Sequence, residues 1–191
     1  MSSVVRATMS RLAMRKPSAR LPGDEGFTLI EVIFVAGLIC VLSGIAVPAL
    51  LRSRAAANET TTVGTLRVVH SAQLMYSLTC GIGMYAASLP ALVGAPGEEA
   101  FLPADLTAGL TPSKSGYDFT MVEGPSGLNV LTDCNGVQTA SDYYLTAEPV
   151  AFGQTGNRAF ASDEMHVIWQ DTTGVPPIEP FTPSATVMPI Q

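Results

Sequence analysis

The stretch GDEGFTLIEVIFVAGLIC, residues 23–40, decides how this chain is read, because it sets one acid, Glu31, at the mouth of a long oily run. From Val32 to Leu51 no residue is charged, and Arg52 and Arg54 close the run. About 20 apolar residues at about 1.5 Å each cover the roughly 30 Å core of a bilayer, so the run predicts a membrane-spanning helix. An acid near the end of such a span can reach toward the headgroups, which makes Glu31 tolerable but gives it no purpose.

Charge is divided unevenly around the run. Residues 1–26 hold Arg6, Arg11, Arg15, Lys16 and Arg20 against only Asp24 and Glu25, whereas beyond residue 55 the basic residues are Arg67, Lys114 and Arg158 among many acids. Lys and Arg flanking a span favour the cytoplasmic side, which predicts a single pass with the N-terminus inside and the acidic bulk outside. The net charge of −6 would repel a phosphate backbone, so nucleic-acid binding is not expected. A cleaved secretory signal would need small residues after its apolar part. The candidate, Ala55 to Ala57, follows two arginines and a run longer than an ordinary signal core. A plain signal anchor fits better, yet leaves Glu31 unexplained.

Gly26, Phe27, Thr28, Leu29, Ile30 and Glu31, followed by an unbroken apolar helix and preceded by a short basic leader, resemble the type IV pilins and the related pseudopilins of type II secretion. GFTLIEV at 26–32 carries that family's motif without a mismatch. The resemblance implies that a membrane-embedded prepilin peptidase cuts between Gly26 and Phe27 and that the new Phe27 amine is methylated. It also implies a filament built from copies of the chain with minor pilins, on an inner-membrane assembly platform. The precursor would sit in the bacterial inner membrane and the product in an extracellular or periplasmic filament. Pro48 falls where pilins often carry a helix-bending proline.

On this reading the buried acid has a use. An isolated charge at a membrane centre costs about 2.5–3.5 kcal/mol on insertion scales, and opposite charges attract strongly where the dielectric constant is low. Glu31 is therefore expected to neutralise the Phe27 amine, either across one helical turn of its own chain or, as the family implies, on a neighbouring subunit.

The helical pattern continues beyond the run. Val63, Leu66, Val69 or His70, Gln73 and Tyr76 recur every three to four residues, and Gly81 and Gly83 supply a stop. One helix from about Thr28 to about Leu78 would be ~75 Å long. Within it Pro48 removes a donor and crowds the carbonyl of Gly44, which predicts a bend or local melting between the two. Gly37 and Gly44 are spaced too widely for a GxxxG pair but would allow close approach of other helices.

After Gly83 a Pro- and Gly-rich region predicts short helical turns near Ala86–Leu92 and Pro103–Gly109. Strands are expected at 116–123 and 142–150, then in RAFASD and MHVIWQD around a tight turn at Asp163 and Glu164. The predicted fold class is α+β, a long N-terminal helix with a small antiparallel sheet on its outer half. Its parts would be a leader at 1–26, a membrane or filament-core helix at 27–51, a soluble helical half at 52–80, a head at 81–173 and a Pro-rich tail at 174–191. The stretches GTLRVVHSAQLMYSLTCGIG (64–83), KSGYDFTM (114–121) and YYLTAEPVAFGQTGNRAFASDEMHVI (143–168) also resemble the heads of bacterial pilin-like proteins.

Cys40 lies in the apolar run, so an exported head leaves Cys80 and Cys134 free to pair. Closing a loop of that size stabilises a fold by about 4 kcal/mol at best. The tail, with Pro176, Pro177, Pro180, Pro183 and Pro189, excludes regular helix and central strand. It should be extended, and either mobile or laid against the head through Phe181 and Ile178.

No catalytic constellation is present. His70 and His166 are far apart in sequence, no serine sits in a GxSxG elbow, and GIG at 81–83 opens no phosphate-binding helix. An enzyme is not expected, and no cofactor. Asp163, Glu164 and Asp171 flank the last hairpin and could offer oxygen to calcium, although their spacing matches no EF-hand. The function classes that remain are a pilus subunit, a secretion pseudopilin, and a single-pass anchored periplasmic binding module.

Overall fold

The computed structural model describes residues 26–94, 99–125, 127–128 and 131–190. All of the basic leader except Gly26 lies outside them. Two compact units divide the chain between Ser43 and Gly44.

Helix α1 spans Leu29–Thr79, within one residue of the expected ends. Of its first unit, Gly26–Ser43, every side chain is exposed. Pro48 lies inside the helix, and the residues from Gly44 to Pro48 all keep helical backbone. Of the bend or local melting expected there, the melting is not seen. A proline deletes a single bond of the i to i−4 ladder, and the intact bonds on either side hold the turn.

In the second unit the burial of α1 begins at Ala55 and follows one stripe through Glu59, Thr62, Leu66, Val69, His70, Gln73 and Tyr76. That stripe meets the sheet. β1 (Tyr85–Ala86) pairs with β4 (Thr139–Ala140), while β2 (Ser113–Lys114), β3 (Tyr117–Glu123), β5 (Tyr143–Pro149), β6 (Ala159–Ser162), β7 (Ile168–Asp171) and β8 (Val187–Pro189) form an antiparallel sheet in the order β2-β3-β5-β6-β7-β8. A 3-10 turn at Leu89–Val93 and the short helix α2 (Ala104–Thr107) lie before it, near the turns expected from the prolines.

Alternation decides which face of the sheet is inside. Tyr117, Phe119 and Met121 of β3 and Tyr143, Leu145 and Ala147 of β5 are buried, and the register sets Phe119 opposite Ala147 and Met121 opposite Leu145. These side chains share one core with Leu66, Val69, Ala72 and Tyr76 of α1. Each large side chain buried there contributes about 1.5–3 kcal/mol, so this α–β contact is the head's main source of stability. The helix then stops because Gly81 lies too close to the Tyr76 ring for a side chain, and Gly83 takes a left-handed φ of 81°.

The tail lies against the head. Val187–Pro189 add the edge strand β8 beside β7, with Gln170 opposite Met188, and the Ile190 amide donates to Ile168 O at 2.7 Å. An unpaired edge needs a partner, and proline is admissible on an edge strand because its missing donor can face away. Phe181 stacks on Trp169 with ring centroids 5.5 Å apart, as one of the two expected contacts. Ile178 does not pack: it is 80 % exposed.

Candidate functional site

The first candidate site is the start of α1. Thr28 caps it: the Glu31 amide donates to Thr28 O at 3.1 Å and to Thr28 Oγ1 at 3.3 Å. Thr-x-x-Glu is the capping-box pattern, in which the N-cap hydroxyl takes the amide of the third helical residue. The acid also sits where a helix dipole favours negative charge. The cap is thus served by the Glu31 backbone amide, and the carboxylate itself is left for another role. Its side chain remains exposed, as does Phe27 at 80 %. Phe27, Glu31, Val35 and Ile39 follow one another at four-residue spacing, and with Val32 and Ala36 they line a groove of about 270 Å³. Apart from Glu31, that groove is wholly apolar.

Every residue from 26 to 54 is exposed. The best 18-residue window of α1 has a mean hydropathy of 2.6, long and apolar enough to cross a membrane. Leaving so many Leu, Ile, Val and Phe side chains in water is unfavourable, so this surface needs lipid or other protein around it.

The expected disulfide is formed between Cys80 and Cys134. It is buttressed by the Tyr76 hydroxyl, which donates to Asp133 Oδ2 at 2.7 Å, while Asp133 Oδ1 accepts the amides of Asn135 and Val137 at 2.8 Å each. The end of α1 and the 131–137 segment are thereby tied together. Cys40 is exposed and unbridged.

Buried polar side chains join α1 to the head elsewhere. Gln73, fully buried, exchanges two bonds of 2.9 Å with the backbone of Ala86, as a neighbouring strand would. Glu59 takes the Asn157 amide at 2.7 Å and Arg158 Nε at 2.8 Å. The sequence held a signal for both, since each is a polar residue on the buried helical stripe. Their partners could not be named, because they are distant in the chain.

His70 and His166 do come together, with ring centroids 4.9 Å apart. Ser162 gives its hydroxyl proton to Val167 O, so the 2.8 Å contact between Ser162 Oγ and His70 Nε2 has the histidine as donor. Burial, then the nearby His166 and Arg67, pull the His70 pKa down to about 4, which keeps it neutral. Nothing here activates a nucleophile.

The calcium candidates are not gathered. Asp163 Oδ1 accepts the Met165 amide at 3.0 Å and Asp171 Oδ1 the Thr173 amide at 2.8 Å, so each closes its own turn. Among the described residues no group of three or more His, Cys, Asp or Glu is arranged to hold a metal ion. Asp163 and Glu164 instead line an open cleft of about 530 Å³ with Asp142, Glu179, Trp169 and Phe181.

With this geometry in view, the chain is similar to the type IV wide pilus major component PilA4 of Thermus thermophilus, 29 % identical over 128 residues that cover 65 % of this chain and 94 % of that protein. That similarity and the long N-terminal apolar helix support the type IV pilin-like resemblance carried by GFTLIEV. No family model and no solved structure matches this pilin-like chain. Its α+β architecture, a long N-terminal helix followed by an antiparallel sheet, is the arrangement expected from the sequence.

Proposed function

We propose that the pilin-like chain is a prepilin: a structural, non-enzymatic subunit that is cut between Gly26 and Phe27 by a prepilin peptidase, methylated at the Phe27 amine and polymerised into a type IV pilus. The carrying observation is the apolar half of α1, exposed at every residue from 26 to 54 and long enough to cross a membrane. A lipid bilayer satisfies that surface before assembly and other copies of the helix satisfy it afterwards. The precursor would be held in the inner membrane, N-terminus inside, and the filament would be extracellular.

In this account Glu31 has two tasks. Its amide holds the Thr28 cap, and its exposed carboxylate neutralises the amine of Phe27 on an adjoining copy, in a medium where an unpaired charge is costly. The minor pilins and the assembly platform are partners of the same reading. The similarity to a major pilus component favours a pilus over a secretion pseudopilus. The test is to image material sheared from cells with and without the gene. Filaments present with it and lost without it support the reading; identical surfaces, with the chain remaining in the membrane fraction, reject it.

A further inference from the structure

Residues 177–181 cross the outer face of the sheet. The Tyr144 hydroxyl donates to Pro177 O at 2.6 Å, and the Phe181 ring lies 5.5 Å from Trp169 and 6.2 Å from Tyr144. Between these anchors the chain lowers Glu179 into the cleft that Asp142, Asp163 and Glu164 also line. Glu179 Oε1 is shut off from solvent and accepts no hydrogen bond from the described residues. Among the described residues no Lys, Arg or His lines the cleft, and His166 of the same β6–β7 turn packs against His70 instead.

Carboxyl groups that share one cleft oppose one another when ionised, and Glu179, whose Oε1 is shut off from solvent and accepts no hydrogen bond from the described residues, gains most from keeping its proton. We propose that residues 177–181 are a pH-responsive strap, closed over the sheet by the protonated Glu179 and loosened when that carboxyl ionises. The groups that face Glu179 are Asp142 at the entry to β5, Asp163 and Glu164 from the β6–β7 turn, and Tyr144 from β5, a neutral donor already engaged with Pro177. Consistent with this, burial and then the charges of Asp163, Glu164 and Asp142 raise Glu179 from 4.5 to about 7.

The sign follows from linkage. A carboxyl that holds its proton more tightly in the closed strap than in the open one favours closure fully below about 4.5. The advantage drains away as the pH rises from there to about 7, and above that the open strap has its largest share. Phe181 leaves Trp169 when the strap opens, and Trp169 is the one tryptophan of the chain, so its fluorescence reports the event.

The experiment is a titration of the full chain in detergent from pH 4 to 8, with a chelator present throughout, following Trp169 emission and its quenching by acrylamide. The strap's opening constant should rise about ten-fold or more across pH 4.5–7.5. Glu179→Gln should hold the low-pH signal over the whole range. The double variant Asp163→Asn/Glu164→Gln should move the transition to lower pH without abolishing it, which keeps the test meaningful if Glu179→Gln folds poorly. A flat wild-type titration, or an unchanged transition in both variants, overturns the proposal.

Discussion

Glu59 and Arg158 meet at 2.6 Å where α1 passes under the sheet, with the carboxylate buried and the guanidinium half exposed. The other carboxylate oxygen receives the Asn157 amide, so one acid on the helix secures both the turn before β6 and the cation that follows it. Asn58 beside it donates to Thr155 O at 2.9 Å, and the whole 155–158 segment is therefore held by two consecutive helix residues.

Glu59→Ala should strip the Asn157 amide and Arg158 of their acceptor and lower the stability of the head by about 2–4 kcal/mol. Arg158→Ala should cost less, about 1–2 kcal/mol, because the arginine is partly solvated and the Asn157 amide still serves the acid. Thermal melts of the full chain in detergent measure both. Equal losses from the two variants would contradict this ranking.

Glu31 is best probed by a pair of variants. Glu31→Gln keeps a residue that suits the third position of a capping box but removes the charge. Filament yield should fall at least about ten-fold for Glu31→Gln and Glu31→Ala alike, with cleavage retained, since losing about 1.4 kcal/mol or more per subunit contact gives that factor. Normal yield from Glu31→Gln with failure of Glu31→Ala would show that assembly does not need the charge.

His70 predicts a pH dependence. Its pKa is held near 4 in the fold and lies at 6.5 when the chain is open, so the unfolded chain binds the extra proton as the pH falls. His70's contribution is complete above about 6.5 and is lost progressively toward pH 4. The loss should be about 1–2 kcal/mol after allowance for solvent screening. Denaturant midpoints at pH 7 and pH 4.5 should converge for His70→Gln relative to wild type; identical slopes would remove histidine from the account.

Cutting the Cys80–Cys134 bridge, whose ends are 54 residues apart, should destabilise the head by up to about 4 kcal/mol. Cys134→Ser, which keeps the Tyr76–Asp133 bond in place, is the variant to melt. A midpoint within about 1 °C of wild type would mean that the hydrogen bonds around Asp133 suffice without the bridge, since a change of even 1 kcal/mol moves a domain of this size by several degrees.

How far the sequence could be read depended on the range over which each feature is encoded. The ends of α1 and the four long strands β3, β5, β6 and β7 are local: apolar periodicity, Gly81 and Gly83 locate them within a few residues. β1 and β4 are two residues each and exist only because Gln73 and the core bring Ala86 and Thr139 together, which no local pattern announces. The edge strand β8 was hidden by the very prolines that make the tail look irregular. At the candidate site, the start of the helix and the place of Glu31 in its first turn were legible in GFTLIE, while the Thr28 cap shows only in the folded backbone. The cleft around Glu179 draws on residues from 125 to 181, and only the folded topology assembles it.

The central claim is that the exposed apolar helix begins life behind a leader and enters a filament with Phe27 as its first residue. Mass spectrometry of the N-terminal peptide from filaments sheared off the cell surface tests this most directly. The account predicts a peptide that starts at N-methylated Phe27. A peptide that starts at Met1, or at a cut near Ala57 that discards the helix altogether, would contradict it.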